Sequence, residues 1–221
     1  MEIEETGYVR CVGIDPGNKG AIAVVKIGPN GEVVYIDHLL MPLIDRNSGS
    51  SWSDYRDLEA FKRQQKKGLK RKLKPSEKVK PFPDVSKIAG FIEEHGTQAI
   101  ALEKMFDGGM SRNEGASTLM NAYGGLVGIS HYVSSSVCQQ CDVVEVAPRT
   151  WQKVMLGAGK DSLTKELAID FCVKILGYDL PMTSTSEKAK PMDGVSDAVV
   201  IACYCAYEKF GRTHIGEWKY G

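Results

Sequence analysis

The chain has 221 residues, 43% apolar and 25% charged, and its 28 basic side chains balance 28 acidic ones. Such a length can bury a sizeable core and favours one decorated domain over two. No apolar run approaches the roughly 18 residues of a membrane helix, so a helical membrane span is excluded.

The zero net charge conceals an asymmetry. Lys62 to Lys80 holds ten of the 28 basic residues against the single acid Glu77, which leaves the rest of the chain at −9. An acidic body with one concentrated basic segment suits contact with a polyanion through one face or arm. The acidic start Met1 to Glu5 leads almost directly into apolar sequence, so no signal peptide is expected. The six cysteines are scattered, which favours reduced thiols and an intracellular, cytoplasmic location, or an organelle if a transit peptide has been removed.

In chain order, Val9 to Ile14 and Ala21 to Ile27 are short, rich in β-branched residues and bounded by glycines, so they read as two strands of a hairpin. Asp15-Pro16-Gly17 sits at the bend. An acid that ends a buried strand must be solvated, paired or bound to a cation. A turn role, with the carboxylate accepting backbone N–H groups, is the alternative. Gly28-Pro29-Asn30-Gly31 predicts a second turn, and Glu32 to His38 a third antiparallel strand. Met41 to Trp52 is polar and Ser-rich. Ser53 to Lys72 has helical residues that merge into a basic insertion at about 56–80, with Lys70, Arg71 and Lys72 at its centre and Pro81-Phe82-Pro83 at its end.

Val85 to His95 predicts an amphipathic helix ended by Gly96. Gln98 to Leu102 is then a buried strand that delivers a second acid, Glu103. Glu114 to Val133 reads as a long helix with small residues at 116, 122, 124, 125 and 128, which would let another helix approach, either in this chain or in a second copy. Asp142 to Val146 is a further strand. Pro148-Arg149-Thr150-Trp151 follows, with Thr150 a candidate cap for a helix through Leu156, and further helices are expected over Ser162 to Leu176 and Asp193 to Glu208. A meander followed by alternating helices and strands predicts an α/β fold with a mixed sheet flanked by helices.

Asp193 and Asp197 are four apart, so a helix projects both from one face. Asp193 alone could serve the helix dipole, but Asp197 borders the apolar stripe, where a cation would relieve the repulsion. Four acids thus stand at element ends: Asp15, Glu103, Asp193 and Asp197. Oxygen-rich clusters of this kind suit Mg²⁺, with Mn²⁺ as a substitute, and such ions serve phosphodiester hydrolysis.

These segments resemble the RuvC-like Holliday-junction resolvases of the RNase H-like superfamily. The resemblance rests on Gly13-Ile14-Asp15-Pro16-Gly17, Ala101-Leu102-Glu103, Pro148-Arg149-Thr150-Trp151-Gln152-Lys153 and Asp193-Gly194-Val195-Ser196-Asp197-Ala198. It spans roughly Val9 to Tyr207 without the basic insertion. The four-residue spacing of the last two acids and Lys160-Asp161-Ser162 look more like the chloroplast branch than the bacterial one.

The resemblance implies a five-stranded RNase H-like domain over the whole chain, 1–221. It also implies a homodimer that cuts four-way junction DNA by paired nicks, with no nucleotide cofactor and no membrane partner. Asp15, Glu103, Asp193 and Asp197 would be the catalytic and metal-binding acids. Arg149, Lys153, Lys160 and Lys165 would join Lys70, Arg71 and Lys72 as DNA contacts, and Met105, Phe106 and Met110 would be candidates for apolar groups at the junction centre. Rival readings are an RNase H-like nuclease acting on RNA/DNA hybrid or flap DNA, and a non-catalytic DNA-binding protein. An actin-like ATPase would need a second domain and a second phosphate loop that the chain lacks. Cys138-Gln139-Gln140-Cys141 has no second pair for a zinc site, and the four histidines form no metal or triad pattern.

Overall fold

A computed structural model describes residues 7–45, 49–68, 81–105, 114–136, 141–159, 163–183 and 189–212, without side chains at 66, 114–122 and 136. β1 (Val9–Ile14) and β2 (Ala21–Ile27) form the hairpin, antiparallel with Ile14 opposite Ile22. β3 (Val33–Leu40) joins β2 antiparallel, starting one residue later and running two further than the alternation predicts, with a register irregularity at Lys26/Ile27.

β7 (Ala99–Glu103) lies parallel to β1, and β8 (Asp142–Val146) parallel to β7. The order is β3-β2-β1-β7-β8, the predicted five-stranded mixed sheet. Central strands buried on both faces read as continuous apolar runs, which is why β1 and β2 show little alternation.

Two apolar layers sandwich this sheet. On one face α6 (Asp193–Phe210) packs with α4 (Pro148–Leu156) and α5 (Thr164–Asp170), burying Cys11, Ala23, Val25, Trp151 and Phe171. On the other, α2 (Val85–Glu94) and α3 (Glu114–Ser136) cover Val12, Ile14, Ile22 and Val24 through Ile88, Ile92 and Leu126. Asp84 caps α2 by accepting from the Lys87 N–H at 3.4 Å.

Contact between α6 and β1 is close because it is made by small residues. A Cβ at Gly13 would stand 2.1 Å from the Ala198 carbonyl oxygen and 2.4 Å from the Ala202 nitrogen. Gly194 makes a similar approach, its Cβ position 2.3 Å from the Lys19 carbonyl oxygen. Any side chain at either position would lift the helix from the sheet and move its acids with it.

The structure adds one local element and corrects two expectations. Within 41–52 and at 81–83, β4 (Leu43–Asp45) pairs with β5 (Ser51–Trp52) and with β6 (Pro81–Pro83) in a second small sheet that the sequence did not predict, and α1 (Tyr55–Gly68) follows β5. Strands of two or three residues carry no readable period, and prolines at 81 and 83 are tolerated only because β6 is an edge. Thr150 is not a cap; Ala147 precedes the helix and Pro148 opens it with a preset φ. The helix expected over 162–176 is described from Thr164 and passes into a π-turn at Phe171–Ile175. Residues 160–162 lie outside the described residues.

Cys11, Cys172, Cys203 and Cys205 are buried free thiols, Cys141 is buried, and Cys138 lies outside the described residues. Among the described residues no helix is long and apolar enough to cross a membrane.

Candidate active site

Parallel pairing sets Ile14 opposite Leu102, so Asp15 and Glu103, the next residues, stand side by side at the carboxyl ends of adjacent strands. The Gly13 contact brings the first turn of α6 over the same end, and with it Asp193 and Asp197. In this fold class such strand ends are where ligands bind.

The electrostatics record the convergence. Burial pushes the Asp15 carboxyl up to about 6; Gly17 N–H donation to its Oδ1 at 3.1 Å and the charge of Lys165 oppose the rise, and Asp193 adds to it. Burial and then the neighbouring Asp15 charge raise Glu103 to about 7, although Trp151 Nε1–H donates to its Oε1 at 3.4 Å. Asp197 is raised well above the ordinary range, first by burial and then by Asp15, Glu103 and Asp193.

Asp193 goes the other way. Its partial burial is outweighed by the hydrogen bond and charge of Lys165, whose ammonium pairs with its Oδ2, and by the Gly194 N–H at 3.1 Å. The cluster therefore divides into three destabilised acids and one satisfied by a lysine.

Such an arrangement fits a hard divalent cation in charge and donor type. All its donors are oxygens, and three carboxylates are held at a cost that a cation would remove. Among the described residues, no group of three or more His, Cys, Asp or Glu side chains is placed so that it could hold a metal ion as the side chains stand. Mg²⁺ takes few protein carboxylates and completes its coordination with water and substrate oxygens. Asp15, Glu103 and Asp197 are the residues that would hold it.

The other predicted site residues fall as follows. Lys165 lies at the carboxylates, its ammonium paired with Asp193 and its side chain 71% exposed. Arg149 and Lys153 are exposed on α4, whose buried Trp151 reaches Glu103. Met105 is half-buried and packs against the core beneath α2 and α3. Lys160, Phe106, Met110, Lys70, Arg71 and Lys72 lie outside the described residues.

Two rim residues escaped the sequence reading. Lys19, in the turn after Asp15, holds its ammonium 5.5 Å from the ring centroid of Tyr55, the first residue of α1. A lysine inside the Asp-Pro-Gly turn was the available signal; its pairing with Tyr55 depends on a contact across 36 residues and left none.

No protein-family model matches this chain, and no curated protein matches its sequence. Among solved structures it is similar to Thermus thermophilus RuvC, with 15% identity over 92% of this chain and 98% of that one, at a TM-score of 0.50. A second similar structure is T. thermophilus RuvC in complex with a Holliday junction substrate, with 15% identity over 94% and 98% of the two chains, at a TM-score of 0.47. The likeness to the first establishes a shared α/β fold, the RNase H-like arrangement of a five-stranded mixed sheet with helices on its faces.

Proposed function

We propose that the protein is a structure-selective endonuclease that resolves four-way DNA junctions by paired, divalent-ion-dependent phosphodiester hydrolysis. The observation that carries this reading is the meeting of Asp15, Glu103 and Asp197 at one end of β1, each with a raised pKa. A purely structural role for three mutually repelling buried acids would be a standing cost. A non-catalytic DNA-binding protein has no use for them, and their negative charge would oppose DNA. The motif resemblance narrows the substrate to junctions and favours the chloroplast branch, with the chain as one nuclease domain carrying a basic insertion.

Within this reading each residue has a task. Asp15, Glu103 and Asp197 hold Mg²⁺, or Mn²⁺ in its place; bound there, the ion supplies Lewis acidity and charge neutralisation for phosphodiester hydrolysis. Trp151 fixes the Glu103 side chain through its Nε1–H, and the Gly17 N–H fixes Asp15. Lys165 keeps Asp193 ionised and presents a cation to an incoming phosphate. Arg149 and Lys153 are backbone contacts on α4, joined by Lys160.

The direct test is cleavage of a synthetic four-way junction beside linear duplex, RNA/DNA hybrid and flap DNA, each with and without Mg²⁺. Symmetric nicks in the junction alone are expected. Preferential cutting of hybrid or flap would keep the chemistry and change the substrate; no cutting of any would leave a binding protein.

The paired nicks require two sites related by a twofold axis, and α3 is the candidate interface. Its glycines divide by environment. A Cβ at Gly125 would stand 2.8 Å from the Phe82 ring, whereas at Gly124 and Gly128 it would meet nothing within 4 Å. Tyr132, four residues beyond Gly128, is 60% exposed. Gly128→Arg should therefore abolish the dimer in sedimentation while changing monomer stability by no more than about 1 kcal/mol. A variant that still dimerises would move the interface elsewhere.

The basic segment begins on α1, whose first residue Tyr55 stands at the site rim beside Lys19. Neutralising Lys62, Lys67, Lys70 and Lys72 together should weaken junction binding and flatten its salt dependence, by about 0.9 in logarithmic slope for each phosphate no longer neutralised. An unchanged slope in a salt titration would reduce the segment to a solvated insertion.

A further inference from the structure

At the opposite end of β1 from Asp15, five residues or roughly 17 Å along the strand, the sheet carries a second group of cationic and aromatic side chains that the junction reading does not use. Register sets Arg10 beside Lys26 and Lys26 beside Tyr35, one row across three adjacent strands. Tyr8, Val34, Glu94 and His95 complete an open cleft of about 530 Å³, within the size range of small-molecule and nucleotide sites.

Its groups are already held in place. The Lys26 ammonium lies 4.7 Å from the Tyr8 ring centroid. Tyr35, 44% exposed, inclines toward His95 with ring centroids 6.1 Å apart, and its hydroxyl donates to Asp37 at 3.3 Å. His95 is backed by the Phe91 ring at 4.6 Å and lies 3.3 Å from the same Asp37 carboxylate. The Arg10 guanidinium donates to the His95 carbonyl oxygen at 3.4 Å and forms no ion pair among the described residues.

We propose that this cleft binds a single strand of nucleic acid, with a base stacked on the exposed Tyr35 ring, which His95 supports from behind, and the flanking phosphates held by Arg10 and Lys26. Stacking faces beside fixed cations on an open sheet are the means by which unpaired strands are gripped, since a base inside a duplex cannot present its face. Glu94 on the wall offers an acceptor for the exocyclic amine of a base, which a simple phosphate site would not need. The cleft is remote from the carboxylates, at the other end of β1.

The test uses the full chain in a chelator, with a fluorescent single-stranded octanucleotide followed by anisotropy and a 5-iodouracil version for photo-crosslinking. Tyr35→Leu, which keeps an apolar side chain on the exposed strand, should weaken binding about tenfold, the loss expected for one stacked base. Arg10→Ala with Lys26→Ala should flatten the logarithmic salt slope by about 1.4, at roughly 0.7 per phosphate on a single strand. Crosslinks should map to Tyr8, Tyr35 or His95, and both variants should nick a four-way junction at the wild-type rate. Crosslinks confined to 62–80, or wild-type affinity in both variants, would overturn the proposal. So would an affinity loss in the double variant alone, without one in Tyr35→Leu, because that describes an anion site that reads no base.

Discussion

Asp15→Asn, Glu103→Gln and Asp197→Asn should each lower the single-turnover nicking rate of a four-way junction by at least about 10³-fold while junction binding persists or tightens. A loss of that size corresponds to roughly 4 kcal/mol of transition-state stabilisation withdrawn. Each substitution keeps shape and removes one negative charge. The variant site repels phosphate less but holds a divalent cation less well, so binding and cutting should separate. Residual nicks should carry a 5′-phosphate and a 3′-hydroxyl, and no covalent protein–DNA adduct should form.

Asp193→Asn should cost less, because that carboxylate is satisfied by Lys165 rather than by the group of three. Gel-shift and nicking assays on the same preparations, with circular dichroism for fold, check the set. Full activity in any of the first three variants removes that residue from the catalytic group, and loss of nicking together with loss of fold makes the acids structural.

Stability should carry the mark of the same cluster, with a sign opposite to that of ion-paired or hydrogen-bonded carboxylates. Asp15 and Glu103 titrate near 6 and 7 in the folded chain, against about 4 when unfolded. Below pH ~4 both states hold the protons and nothing is lost. Between about 4 and 7 only the folded chain retains them, so unfolding releases protons and stability falls as pH rises. Above ~7 the repulsion is complete.

For Asp15 the difference amounts to at most about 3 kcal/mol, which partial exposure brings down to about 1–2 kcal/mol. In a chelator at pH 8, Asp15→Asn and Glu103→Gln should each therefore melt about 3–6 °C above wild type, with the gap closing by pH ~4. Mg²⁺ at pH 8 should raise the wild-type melting temperature more than that of either variant, since binding to the folded state alone stabilises it. The Asp193–Lys165 pair has the ordinary sign: its contribution is present above the unfolded pKa of Asp193 and is lost as acid protonates it. Calorimetry over pH 4–8, with and without the ion, measures all of this. A wild-type chain more stable at pH 8 than at pH 5 in chelator would contradict the assignment.

Much of the framework was legible from local pattern. β-branched runs bounded by Gly-Pro turns marked β1, β2 and β3, because a strand buried on both faces needs continuous apolar residues and its reversals need particular turn chemistry. Asp15 and Glu103 were readable as acids at strand ends, and Asp193 with Asp197 as a pair one helical turn apart, because those relations lie within single elements. The small sheet of β4, β5 and β6 was not readable, since its strands are too short for a period and β6 pairs with β4 across 36 residues or more.

By itself, then, the order of residues determined which acids stand at element ends, which helix faces are apolar and where the basic charge is concentrated. Only the tertiary structure decided that β1 and β7 run parallel with Ile14 opposite Leu102, and that α6 lies on Gly13 closely enough to bring Asp197 to Asp15. It alone separated the four acids into three raised by burial and mutual repulsion and one lowered by Lys165, 28 residues upstream of Asp193. The reason is physical: a carboxylate's ionisation depends on its desolvation and on charges within a few ångströms, and those neighbours are set by packing between distant elements.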